Sequence, residues 1–470
     1  MVFAPRLKLD PWAESKAQSE VAGLSMISQT YKRAVAPLIL ILATASILAA
    51  ALILPTASTA KRTDTAIEEF RSLRKTLRES HAANDWRSNL ASATRLKELL
   101  NEAPNSLLEV ARADVRVGDV KAAVHELEQY VRMGQSTDVL ATSADFSALL
   151  KNVDFAKIQS GMEANRSSIS LGSTAFLLPD SGLLTEDLDY DRSGKRFFIT
   201  SVRAKRIFSI VAGGASVEFA KAPDDWPMMA IKIDSARGVV WATEVALQGF
   251  AVAPEADWGR SAVLCYDLKT GALLRRIEGP RQSALGDMAL AANGDIIVSD
   301  GDGGGVYRAR ANGDALERLD DGDFISPQTP AMHPDGKHIF VPDYLRGIGV
   351  LEIATRQVRW LSTGARFALN GIDGLYFDRG KLIAVQNGTS PERVVAFTLD
   401  ASLSRIESET IIERSTGTLG DPTHGVVIDN DFYYIANSGW DIIDDHGNMK
   451  AGAKPSAPRI MRAQLTGQRI

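Results

Sequence analysis

The chain has 470 residues, 24% of them charged, and a formal net charge of −5. That balance excludes a basic nucleic-acid surface, and the length is too great for one small core. The single cysteine, Cys265 in SAVLCYDL, excludes intramolecular disulfides, cysteine metal clusters and dithiol chemistry; its alternating strand context makes it a small buried hydrophobe.

Residues 1–33 read as an N-terminal tail. Ala34 to Leu54 is an uncharged apolar run of about 21 residues, long enough to cross a bilayer as a helix. Lys32 and Arg33 precede it and Lys61 and Arg62 follow, so the flanking charges orient it only weakly. It is either an uncleaved transmembrane signal anchor or a signal peptide starting at Met26 and cut near Ser58-Thr59-Ala60. The length of the run favours the anchor. Both readings put the main domain outside the cytoplasmic membrane, in the periplasmic or extracytoplasmic part of the cell envelope.

Residues 65–165 carry helical periodicity instead of strand alternation. Leu90, Ala93, Leu96, Leu99 and Leu100 share one face. AANDW (82–86) and RVGDV (116–120) recur roughly 34 residues apart, each opening a helix, and NEAPNS (101–106) stops one helix and starts the next. The segment resembles a tetratricopeptide (TPR-like) helical unit, with Gly118 and Ala122 where that motif uses small residues for close packing. It is either a spacer or a peptide-binding surface.

Residues 173–466 repeat one pattern six times. The copies open at TEDLDYD (185–191), MMAIKID (228–234), LGDMALAA (285–292), TPAMHPD (329–335), GIDGLYFD (371–378) and HGVVID (424–429), and each is followed by a second β-rich strand. A repeat of roughly 42 to 58 residues predicts a six-bladed β-propeller of four-stranded blades. The fold class is therefore mainly β, with a small helical segment and one membrane helix. Blade six is one strand short, and STAFLLP (173–179) is left over. Pairing it with RIMRAQL (459–465) closes the ring and removes two exposed edges.

In such a ring the strand entries converge at one mouth. The entry column holds Glu186, Met229, Gly286, Gln328, Asp373 and His424, with Asp287 and Asn370 beside it. The second strands exit on the same face at Ser201, Glu244, Asp300, Asp343, Asn387 and Asn437. Glu244, Asp300, Asp343, Asn387 and Asn437, with Asn370 and Gln328, read as substrate-binding positions, and Asp300, Asp343, Asn387 and Asn437 also as turn caps. Crowded carboxylates either raise their pKa values or hold a cation, and hard oxygen ligands suit Ca²⁺ or a similar divalent ion. The insertions 245–260 and 438–457 should overhang the mouth and bring Phe250, Trp258 and Trp440 to its wall. His333 and His338 read as turn and strand residues. Asp300-Gly301-Asp302 fails as an EF-hand loop because Ala311 stands at the twelfth position. No nucleotide or redox-cofactor motif is present.

NGIDGLYFD, PQTPAMHPDGKHIFVPDY and the Glu186 strand resemble the gluconolactonase/regucalcin (senescence marker protein) family of propellers, and more distantly the paraoxonases and strictosidine synthases. The resemblance covers residues 175–466. It implies a divalent metal held by a glutamate, two asparagines and an aspartate, the aspartate also serving as base in lactone hydrolysis. Glu186 matches the glutamate and Asp373 the aspartate. The two asparagines fall on Gly286 and Gln328, so Asp287 and Gln328 would have to complete the metal set. His424 is a further candidate base. Two functions follow: an envelope propeller binding a small molecule or a protein partner at an acidic mouth, or a metal-dependent hydrolase of lactones or esters.

Overall fold

The computed structural model describes residues 65–465, so the expected membrane segment 34–54 lies outside the described residues. No helix among the described residues is long and apolar enough to cross a membrane.

Six antiparallel sheets form the propeller. Their innermost strands are Thr185–Asp191, Met228–Asp234, Leu285–Leu290, Ala331–Met332, Ile372–Asp378 and Gly425–Ile428. There is no single core. The strands of the ring pack through clusters between neighbouring blades: Phe198, Ile231 and Val240 fill the junction of blades one and two, and Trp241, Met288 and Val298 fill the next. Val240 and Trp241 are successive residues facing opposite junctions, as the period of two requires. That is why second strands such as HIFVPD and KLIAVQ are buried almost throughout, on both faces.

The ring closes as the sequence predicts. Gly172–Leu177 pairs antiparallel with Arg459–Gln464 and supplies the missing outer strand of blade six. Ile169–Ser170, which the repeat pattern did not reveal, adds a fifth strand to the edge of blade five.

A second fastening joins blades one and two inside the ring. Asp187, Asp189 and Asp191 alternate along one strand. Their carboxylates accept hydrogen bonds from the Ile231 amide at 2.9 Å, the Ile233 amide at 2.6 Å and the Ser235 hydroxyl at 3.2 Å. Side-chain oxygens thus take the place of a neighbouring strand for an otherwise unpaired edge. The cost shows at Asp189, whose pKa burial raises to about 6.

The longer helices are Ala66–Ala82, Trp86–Leu99, Pro104–Val117, Val120–Arg132 and Phe155–Asn165. Thr65 and Glu68 form a capping box, Asp85 and Asp119 cap the second and fourth of these helices, and Pro104 begins the third. The small-residue expectation is corrected. Gly118 is a left-handed C-cap at φ 93° with no atom near its missing side chain, and the wholly buried small residue is Ala123 rather than the half-buried Ala122. The helices lie on the mouth face. The Ala66 amide donates to Gly322 O at 3.0 Å, Arg71 to Asp302 O at 3.0 Å, Asn101 to Arg346 O at 3.1 Å and the Ser136 amide to Ser390 O at 2.6 Å. All four acceptors sit in mouth-side loops of blades three to five.

Phe176, in the closing strand, packs with Phe197 and Ile460 across the junction of blades six and one. Phe176→Ala should lower unfolding free energy by about 3–5 kcal/mol, measured by urea denaturation against the exposed control Val217→Ala. A loss under about 1 kcal/mol would show that closure contributes little.

Candidate functional site

The innermost strands do not enter the mouth in regular register. Blades one, two, three and five each carry a bulge at the entry, between Thr185 and Leu188, Met228 and Ile231, Leu285 and Asp287, and Ile372 and Gly374. A bulge re-aims side chains locally. In blade three it falls on Gly286, and Asp287 comes to the cavity beside it.

The resulting cavity measures about 60 Å³, room for an ion and a few waters but not for a sugar-sized molecule. Glu186, Asp287, Gln328 and Asp373 form its polar wall, and Met229, Phe250 and Trp440 its apolar one. The two insertions do overhang it. The Trp440 indole donates to Glu186 Oε2 at 2.5 Å, and the Ala251 amide ties one insertion to His446 O of the other at 2.9 Å. Trp258 does not reach the cavity; it packs with Trp226 and donates back to its own loop.

His424 lies at the centre of this set, 1% exposed. Its Nδ1 donates to the Glu186 carbonyl at 2.8 Å, and a carbonyl only accepts, so Nδ1 carries a proton. Nε2 donates to Asp287 Oδ1 at 2.5 Å, which also accepts the Thr329 hydroxyl at 2.7 Å. Asp373 Oδ2 stands 4.0 Å from Nδ1. Burial works against the charge, but Asp373, Asp187 and Asp287 outweigh it and raise the pKa to about 10. The side chain is therefore a fixed imidazolium between carboxylates. To act as the base or ligand expected of it, it would have to give up one of these bonds.

Asp373 Oδ2 accepts from Asn387 Nδ2 at 3.0 Å, and the Tyr344 hydroxyl holds that amide from its other end at 3.0 Å. Gln328 donates its amide N–H to Ser326, which leaves its carbonyl oxygen uncommitted. Ligand atoms of Glu186, Asp373 and His424 all lie within 4.8 Å of one another. With His424 donating through both nitrogens, the donors left to an ion are oxygens from Glu186, Asp287, Asp373 and Gln328. That chemistry fits Ca²⁺ or a similar hard cation.

The second-strand exits behave as turn caps. Asp300 accepts from the amides of Ala284, Asp302 and Gly303, and Asp343 from those of Ile325, Ser326, Leu345 and Arg346. Glu244 bonds the Asp224 amide and Arg276, and burial first of all raises its pKa to about 7. Asn437 accepts from the Arg459 amide at 2.6 Å. None of these four lines the cavity. Nor does Asn370, which is buried with its side-chain oxygen unpartnered. Of the exits only Asn387 touches the cluster. The sequence reading missed Asp187, paired with Lys232 at 2.6 Å, and Thr329. Both neighbour the entry column, and one clue was available in the adjacent carboxylates of the TED triplet.

No family model matches this chain, and no curated protein matches it. Solved structures similar to it include an oxidoreductase of Thermus thermophilus titled a glucose dehydrogenase (16% identity, TM-score 0.43, covering 63% of this chain and 99% of that one). A PQQ-bound aldose sugar dehydrogenase of Streptomyces coelicolor has 14% identity and a TM-score of 0.43, covering 63% of this chain and 97% of that one. A streptogramin B lyase has 16% identity and a TM-score of 0.42, covering 61% of this chain and 95% of that one. These neighbours are dehydrogenases and a lyase; no site residue is carried over from them.

Because the folded pKa of His424 lies above its ordinary 6.5, its stabilising effect is complete below that pH and is lost as pH rises through about 10. In chelator-treated protein the melting temperature should fall between pH 7 and 10 by several degrees more in wild type than in His424→Gln. Parallel curves would show that the imidazolium is not held by the carboxylates.

Proposed function

We propose that the mouth binds one divalent cation, Ca²⁺ foremost, through Glu186, Asp287, Asp373 and Gln328, and that the propeller is a ligand-binding module of the cell envelope. The observation that carries this is the convergence of three buried carboxylates and one uncommitted amide oxygen on a small cavity. On this reading the 34–54 segment holds the chain in the cytoplasmic membrane, with the propeller on the outer side. The ligand is a small molecule, or a loop of an envelope protein, that offers an oxygen to the ion. It enters when the two insertions part and Trp440 releases Glu186.

A second reading is a metal-dependent hydrolase of lactones or esters. It is favoured by the match of Glu186 and Asp373 to the gluconolactonase-type glutamate and aspartate and by their meeting in one cluster. The bound ion would supply polarisation of the ester carbonyl. Asp373 would hold and take the proton of the attacking water, Asn387 would orient Asp373, and His424 would place a positive charge beside the negative charge that develops.

Millimolar CaCl₂ should raise the melting temperature of chelator-treated full-length protein, since the ion binds the folded ring and not the open chain. Asp373→Asn should reduce that rise by more than half. The absence of any shift with Ca²⁺, Mg²⁺ or Mn²⁺ would overturn the cation site. Release of acid from simple γ- and δ-lactones in a pH-stat, lost in Asp373→Asn, would select the hydrolase over the binding module.

A further inference from the structure

On the face opposite the mouth, the turn between the first two strands of blade four reads His333-Pro334-Asp335-Gly336-Lys337-His338. We propose that His333, Asp335 and His338 form a second metal site, one that takes Zn²⁺ or a similar borderline ion rather than Ca²⁺.

The turn presents the three groups already assembled. Asp335 Oδ1 accepts from the amides of Lys337 at 2.8 Å and His338 at 3.1 Å, which fixes the carboxylate and aims its other oxygen. That oxygen, Oδ2, lies 3.0 Å from His333 Nδ1 and 2.6 Å from His338 Nδ1. The three ligand atoms fall within 4.8 Å of one another. In a tetrahedral zinc centre with bonds of about 2.0 Å, ligand atoms stand about 3.3 Å apart. The two carboxylate–imidazole separations therefore have to open by less than about 1 Å to admit the ion. His333 Nδ1 already accepts from the Asp335 amide at 3.3 Å and so presents a lone pair; the single His338–Asp335 hydrogen bond and this contact would be exchanged for two metal–nitrogen bonds and one metal–oxygen bond, with the His338 Nδ1 proton released to solvent.

The supports are also built. The His333 ring stands edge-on to Phe377 at 5.1 Å and Phe340 at 6.0 Å, so apolar neighbours hold its plane. Gly336, at φ 67°, allows the tight turn that brings the two histidines back to one carboxylate. All three side chains remain partly exposed, between 21% and 31%, which leaves an approach for the ion and an open fourth position for water.

Ligand type separates this site from the mouth. Two imidazoles and one carboxylate favour zinc-like ions, whereas the mouth offers oxygens and favours calcium. The two sites stand or fall independently. The test is calorimetric titration of ZnCl₂ into untagged, chelator-treated full-length protein held in about 5 mM CaCl₂, a concentration that saturates a typical extracellular calcium site. One Zn²⁺ per chain should bind with a micromolar Kd. His338→Gln and His333→Gln should each weaken it at least about tenfold, while Asp373→Asn should leave it unchanged. X-ray absorption of the zinc-loaded protein should show imidazole outer-shell scattering. Because the histidines are partly exposed, melting temperatures of the metal-free variants should stay within about 2 °C of wild type. Absence of zinc binding in well-folded wild type would overturn the proposal. So would zinc binding that survives both histidine substitutions or disappears in Asp373→Asn.

Discussion

Ring closure is the constraint on which the mouth depends. A propeller blade buries both faces against its neighbours, so an open ring would leave two apolar faces and two strand edges in water. The strand Gly172–Leu177, contributed from before the first blade, prevents this by pairing with Arg459–Gln464 at the chain's far end. Closure also sets the distance between blades six and one. His424 opens blade six, yet its hydrogen bonds run to Glu186 of blade one and Asp287 of blade three. The cluster at the mouth can form only when the two ends of the propeller meet.

Electrostatics at the centre follows from the same packing. Desolvated carboxylates of blades one, three and five converge, and each needs a positive partner or a cluster of donors. Lys232 answers Asp187, backbone amides answer Asp189, and the His424 imidazolium stands between Asp287 and Asp373. Two protein cations thus lie among the carboxylates in the part of the ring where the gluconolactonase-like resemblance implies a metal. The two insertions then overhang the mouth with Leu247, Gln248, Phe250 and Trp440, which leaves a cavity of about 60 Å³. Access to the mouth becomes a matter of loop movement, and the Trp440–Glu186 hydrogen bond links that movement to the cluster itself.

The two ends of the channel are chemically distinct. The mouth gathers oxygens from strands distant in sequence, at positions set by bulges. The opposite face uses one six-residue turn in which a capping aspartate turns its second oxygen toward two histidines. The first arrangement needs the whole ring, while the second needs only a local turn and the aromatic floor of blades four and five.

Sequence alone determined the number of blades, the alternation of their strands, the strand that closes them and the helical character of 65–165. These rest on local periodicity and on the count of edges, and both can be read along a chain. It also placed Glu186, Gln328, Asp373 and His424 at one mouth, because equivalent positions in a radial repeat must converge. What it could not decide was where each side chain points once there. Bulges at the strand entries brought Asp187 into play and aimed Asp287, expected beside the entry column, at the cavity, and most of the second-strand carboxylates and amides turned to backbone donors across loops. The helices settled on blades three to five. A bulge is a mismatch between two paired strands, and a capping bond needs a particular amide within reach. Neither exists until the tertiary structure has set the strands side by side.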